Sequence, residues 1–480
     1  MSDSKPDAWS NPGPGRLFAG KLPRDWFFKI LGFSLLALAG LPMVLFHDQA
    51  GMDYQSAGAL YILALAVYLW ISSLIPHGIT ALLILVLVPV LNIMPLNQTL
   101  AAFGNTAVFF LLGVFIMVAA VIDSGLARRI SLLFLKSSEN TLGKVYVSIY
   151  TGCLFMSFLM PEHAVAAIFF PIVLEISKLL GEKTGNRPMG MLLFMGMAWG
   201  AVVGGIGTLL GGARASLAIE FLKDMTGKTV TFWDHASVGV PVALILGVVV
   251  LVVFPFMIRG ISLRHKLDPG VIHAMRRNLG PMSFREKRVA VIFAAVILLW
   301  MVAGAWLHLA TVSLLGAVLM FVARGVEWKK VDELVNWNVI LMYGGAIVLG
   351  YVLNHTQAGS LLLKVFPDSW LNSEITMVLI FAVVTITLTE FMSNAAALTI
   401  VLPIVLTAAI QHNLDVMIIF YSITLISGLA FVFPMSSPPN AIAFSSGTFT
   451  VNDMVVKGII VSIISLIVVL TYLFIRFNHV

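Results

Sequence analysis

Residues 157–174, SFLMPEHAVAAIFFPIVL, and residues 389–406, TEFMSNAAALTIVLPIVL, end in the same four letters and carry a polar interruption at the same distance ahead of them. Each sits in a longer apolar stretch, 146–180 and 376–410. Both stretches exceed the roughly 20 helical residues that cross a hydrocarbon core once. Broken near the middle by MPEHA and MSNAA, each reads as a helical hairpin that enters a bilayer and turns back.

The rest of the chain agrees. Of 480 residues, 59% are hydrophobic and 11% charged, against about a quarter charged in a soluble domain. Apolar runs without period-2 alternation predict spanning helices, not a membrane barrel. Spans are predicted at 25–46, 56–74, 77–95, 107–125, 190–222, 237–258, 289–308, 310–323, 338–356, 416–446 and 456–475. The fold class is thus an all-α polytopic membrane protein with about eleven transmembrane helices and two re-entrant hairpins. The single cysteine, Cys153, excludes an intrachain disulfide and reads as a small buried residue. Residues 1–24 are polar and rich in Pro and Gly, without a signal-peptide pattern, and are expected to form a flexible cytosolic tail.

The net charge of +6 falls in short loops, where it orients a membrane protein; no nucleic-acid partner is implied. With the N-terminus cytosolic, loops 126–145, 259–288 and 324–336 lie inside, and 259–288 carries Arg259, Arg264, Lys266, Arg276, Arg277, Arg285, Lys287 and Arg288 against Asp268 and Glu286. The first hairpin then opens from the cytosol and the second from outside. The expected location is a cell membrane, the inner one in a bacterium.

Such a topology predicts an inverted repeat. Residues 105–136 match 338–366 in pattern, 157–174 match 389–406, and GGIGTLLGGARASLAIEF (204–221) matches AFVFPMSSPPNAIAFSSG (430–447). Helices broken inside a bilayer leave backbone groups that must meet protein, water or ligand. Helix N-termini there suit an anion, while carbonyls and hydroxyls suit a cation. At the second break Thr389 and Ser393 share a helix face, Asn394 follows, and Ser436, Ser437, Pro438, Pro439 and Asn440 are predicted to form an unwound segment.

The segments MSNAAALTIVLPI, PMSSPPNAIAFSSGTF and IPHGITALLILVLVPVLNIMPL (75–96) resemble those of the divalent anion:sodium symporter family, which carries dicarboxylates, tricarboxylates and sulfate. The resemblance covers nearly all of the chain from about residue 25. It implies a homodimer of elevator type, with a transport region moving against a scaffold and a Ser-Asn-Thr motif at each tip holding one sodium and one end of the anion. The regions it implies are scaffold helices at 25–106, a first transport region at 107–236, scaffold and basic loop at 237–336, a second transport region at 337–455 and a last helix at 456–480. Carried over by position, the second tip is Ser393-Asn394-Ala395, with Thr389, Ser393, Asn394 and Ser436 as the sodium site and with Ser393, Asn394, Ala395, Pro438, Pro439 and Asn440 toward the substrate. No further cofactor is implied.

The first tip departs from the motif. Counted back from Pro171, its three positions hold Pro161, Glu162 and His163; of the cation ligands Ser157 remains, and Arg214 stands where the partner segment has Pro439. A charge in a membrane segment implies a function and a partner. Four readings stay open. Glu162 can pair with Arg214, making Arg214 a tethered cation in place of one sodium. Glu162 and His163 can carry protons, since histidine titrates near neutrality. Arg214 and His163 can hold a substrate oxyanion. Lastly, the pair can simply lock the hairpin.

The expected function is secondary transport of a small divalent anion, a di- or tricarboxylate or a sulfur oxyanion, with one conserved sodium site. Proton-coupled or exchange-type carriage, and a sodium/proton antiporter on a related fold, are the alternatives. An enzyme is not expected, because PEHA lacks the second histidine of a metal motif. Asp123 is expected beside Arg128 and Arg129, His77 at the membrane interface, and Glu390 to pair within the second transport region.

Overall fold

The computed structural model describes residues 24–45, 52–135, 141–181, 187–264, 280–304, 306–364 and 366–477. Residues 1–23 of the N-terminal tail lie outside these residues, as do Lys136, Lys266, Asp268, Arg276 and Arg277 of the basic loops. Among the described residues there are twenty-two helices and no strand. The first half comprises α1 Arg24–Leu45, α2 Tyr54–Ser72, α3 His77–Val90, α4 Leu96–Phe103, α5 Thr106–Asp123, α6 Leu126–Phe134, α7 Leu142–Met156, α8 Glu162–Gly181, α9 Arg187–Gly205, α10 Arg214–Thr226 and α11 Phe232–Phe256. The second comprises α12 Phe284–Ala303, α13 Leu309–Val322, α14 Trp328–Leu334, α15 Trp337–His355, α16 Ala358–Leu363, α17 Asp368–Leu371, α18 Glu374–Phe391, α19 Asn394–Gln411, α20 Val416–Ile426, α21 Pro438–Phe444 and α22 Val451–Phe477.

The order repeats. Fourteen-residue α3 matches fourteen-residue α13, and α5 matches α15, each begun by an asparagine whose side chain accepts a first-turn amide, Asn105 from Ala107 and Asn336 from Val339. That cap sets the register two residues ahead of Asn338, the residue that sequence matching aligned with Asn105. Hairpin α7–α8 matches α18–α19, and the broken pair α9/α10 matches α20/α21. Among the described residues, eight segments are long and apolar enough to span a membrane, and α3, α7, α13 and α20 are shorter apolar helices. Helices α7 and α20 are short because they stop at the breaks.

The two halves exchange partners. Helix α3 packs on α15 and α5 on α13, while α8 packs on α21 and α10 on α19. Glycine permits the tightest crossings. A Cβ on Gly345 would stand 2.6 Å from Ala81 Cα, and one on Gly113 would stand 2.5 Å from the Ser313 carbonyl carbon. Trp199 of α9 is fully buried between Phe254 of α11, at 4.6 Å between ring centroids, and Phe431 of the second break, at 5.8 Å. Each such ring pair is worth about 0.5–1.5 kcal/mol beyond its burial. Near the loops Arg285 binds Asp123 and Arg129 binds Glu286 at 2.8 Å. Asp123, the last residue of α5, is therefore held by the start of α12, while α6 turns Arg129 toward Glu286.

Candidate functional site

At the first tip, α7 ends at Met156 and α8 begins at Glu162. The Glu162 amide donates to the Gly211 carbonyl of the first break at 3.0 Å. The Thr208 hydroxyl donates to Phe158 O at 2.7 Å and accepts from the amides of Leu210 and Gly211. Neutral bonds thus hold the break against the hairpin. At the second tip α19 begins at Asn394, and Ser393 caps it by accepting from the Ala396 amide at 3.2 Å. The helix starts confirm the pairing of Pro161 with Ser393 and of Glu162 with Asn394.

The second break is held by charge. Glu390 is buried, and its carboxylate accepts from the amides of Phe431, Val432 and Phe433 at 2.9, 3.0 and 3.2 Å. Among the described residues these backbone amides, and no basic side chain, are what its carboxylate binds most directly. Asn440 donates to Ala430 O at 2.9 Å and to Ser436 Oγ at 3.2 Å. Pro438 and Pro439 open α21 and do not lie in the unwound stretch; proline is accommodated in a first helical turn, where its missing N–H has no partner to lose. Aligned on helix starts, Arg214 corresponds to Pro438, one residue from the Pro439 expected.

Both tips and both breaks face one cavity of about 430 Å³. Of the residues singled out from sequence, Pro161, Glu162, His163, Arg214, Ser393, Asn394, Ala395, Ser436 and Pro438 line it. Pro439, Asn440, Thr389 and Ser157 do not, and all four are buried behind the wall. Thr389 donates to Ile386 O, whereas Ser157 Oγ has no partner among the described residues. Sequence reasoning missed Tyr343, Asn338 and Phe115 in the lining, and placed His77 at the interface when it also lines the cavity. Asn338 accepts from the Gly78 amide at 2.7 Å, tying α15 to α3, and Phe115 meets His163 edge-on at 6.2 Å.

Glu162 and Arg214, both buried, approach to 3.6 Å between Oε2 and Nη1. Glycines make room for them: a Cβ at Gly205 would collide with Glu162 Oε2, and one at Gly428 with Arg214 Nη2. Gly428 follows α20, so a cation from the first half rests on the second. A separate cavity of about 420 Å³ lies beside α5, α10 and α13 and touches neither tip. Its buried Glu220 is bound by Thr106 and by Asn105 at 3.3 Å.

This geometry can hold an elongated anion between two helix N-termini, with a cation beside one of them. A family model described as the sodium:sulfate symporter transmembrane region matches residues 28–477. The chain belongs to that family, the divalent anion:sodium symporters. It is a multi-pass membrane transporter and not an enzyme. The sodium-dependent dicarboxylate transporter SdcS of Staphylococcus saprophyticus is 26% identical over 453 residues, covering 87% of this chain and 86% of that one. The Staphylococcus aureus protein of the same name is also 26% identical, over 475 residues, covering 92% and 90%. Among solved structures the fold resembles Neisseria gonorrhoeae MtrF, described as one of a class of antimetabolite efflux pumps. The TM-score is 0.53 and the identity 13%, over 79% of this chain and 83% of that one.

Proposed function

We propose that the protein is a sodium-coupled carrier that takes a small di- or tricarboxylate or sulfur oxyanion into the 430 Å³ cavity, one end at each tip. The convergence of two helix N-termini and Arg214 on that one cavity carries the reading, and the dicarboxylate relatives named above support it. A sodium ion fits the second tip, where Asn394 Oδ1 is buried without a hydrogen-bond partner among the described residues, as is Asn440 Oδ1 behind it. Unpartnered amide oxygens are what a weakly held alkali cation needs. At the first tip Arg214 takes the place of the other sodium, leaving one in the coupling. The transport regions then shift against the scaffold to carry the site across, in a homodimer with the N-terminus cytosolic.

The test is uptake into proteoliposomes of a panel of di- and tricarboxylates and sulfur oxyanions, driven by a sodium gradient, a proton gradient or neither. Sodium-driven uptake with a sodium Hill slope near one is expected. Uptake indifferent to sodium would refute the reading.

A further inference from the structure

Helices α5 and α15 meet the two tips with apolar side chains. Phe115 of α5 stands edge-on to His163 of the first tip at 6.2 Å, and Met342 of α15 accepts from the Ser393 hydroxyl of the second tip through Sδ at 3.6 Å. Both line the cavity, as do Tyr343, next to Met342, and Trp70. The second tip and break add Phe391, Ala395, Met435 and Pro438. Hydrogen-bonding groups outside the tips are few or already used. Ser73 and His77 flank the α2–α3 turn and Asn336 and Asn338 open α15, so these four sit together at one end of the cavity. Ser436 Oγ donates to Phe433 O and accepts from Asn440, while Ser437 Oγ and Trp70 Nε1 are enclosed. Beside Phe115 and Met342, the Tyr343 hydroxyl is the one polar side-chain atom on offer among the described residues.

A cargo with one end at each tip lays its middle along this wall. An apolar middle takes water off Phe115, Met342 and Tyr343, gaining about fourfold in affinity per buried methyl. A hydroxyl there leaves water for a surface with little to bond it, losing about tenfold. The volume of about 430 Å³ equals that of roughly fourteen water molecules in the liquid, so substituents on a four-carbon chain have room. We propose that the cargo is a dicarboxylate with an apolar body, bare or carrying alkyl or aryl groups, and that hydroxy acids such as tartrate and citrate are discriminated against. Phe115 and Met342 are then specificity-determining residues. This rests on the carrier reading above and narrows its substrate class.

The experiment sets 2,3-dimethylsuccinate against tartrate, in matching stereochemistry, with succinate between them. A methyl and a hydroxyl are close in size and the spacing of the carboxylates is the same, so the pair isolates the polarity of the body. Uptake into proteoliposomes is measured under a fixed sodium gradient at about pH 8, where all three are dianions. The half-saturating concentration of dimethylsuccinate should lie about tenfold below that of succinate, and that of tartrate about a hundredfold or more above that of dimethylsuccinate. Met342→Gln keeps the side chain's length and adds an amide, and should narrow the second ratio about tenfold. Tartrate taken up as well as dimethylsuccinate, or a folded Met342→Gln protein with an unchanged ratio, overturns the proposal. Should that variant melt early in detergent, the wild-type ratio decides alone. Sodium-driven uptake that favours tartrate would sink this inference and leave the carrier standing; no sodium-driven uptake of any anion would sink both.

Discussion

The two tips share a frame and hold it by opposite means. In the second half the acidic group, Glu390, is turned away from the cavity onto three backbone amides, and the residues facing the cavity are neutral. In the first half the backbone is tied by neutral bonds from Thr208 and the Glu162 amide, and the charge faces the cavity. A carboxylate that binds amides organises structure. One that faces an arginine across 3.6 Å puts a charge pair in the cavity wall.

Arg214→Gln tests the comparison hardest. It leaves Glu162 buried and unpaired and is expected to destabilise by about 3–5 kcal/mol and abolish uptake. Adding Glu162→Gln should recover much of the thermal stability in detergent, and equal melting of single and double variants would break the claim that the two are a pair. Exchanging the two residues should likewise retain some transport.

Glu390→Gln comes next, at about 2–3 kcal/mol, because an amide cannot accept all three N–H groups. Stability and turnover should fall while the order of preferred anions stays the same. A changed preference would mean that Glu390 reads the cargo as well. At the second tip, Asn394→Ala should raise the half-saturating sodium concentration about tenfold, near 1.4 kcal/mol. An unchanged value would remove that oxygen from the cation site. Thr208→Val comes last, about 1–2 kcal/mol for the one short and two longer neutral bonds of its hydroxyl, read as a small drop in melting temperature with selectivity intact.

Much of this was legible in the sequence, for identifiable reasons. The hairpins were visible because a polar interruption in an apolar stretch is costly and therefore rare, and the repeated Pro-Ile-Val-Leu set both tips in register. The clash of Glu162 with its neighbours' apolarity pointed to Arg214. The role of Glu390 was hidden, since its partners are amides that every residue possesses. Pro439 and Asn440 were carried over to the substrate by position, on a segment read as unwound. Once α21 begins at Pro438, helical period places Pro438 and Ala441 on the cavity face and turns the two residues between them inward. Tyr343 and His77 gave no local signal, as they reach the cavity only through the crossing of α15 with α3.

That crossing has a consequence for biosynthesis. Helices α3, α5 and α10 find their main partners in the second half, and α8 packs there on α21 as well as on its neighbour α9. An N-terminal half emerging from the ribosome thus enters the membrane with its small-residue grooves at Gly113 and Gly78 unfilled, hundreds of residues before α13 and α15 arrive to fill them. Insertion and closure are separate events in this chain, and the interval between them is when it is most open to mispairing with another membrane protein.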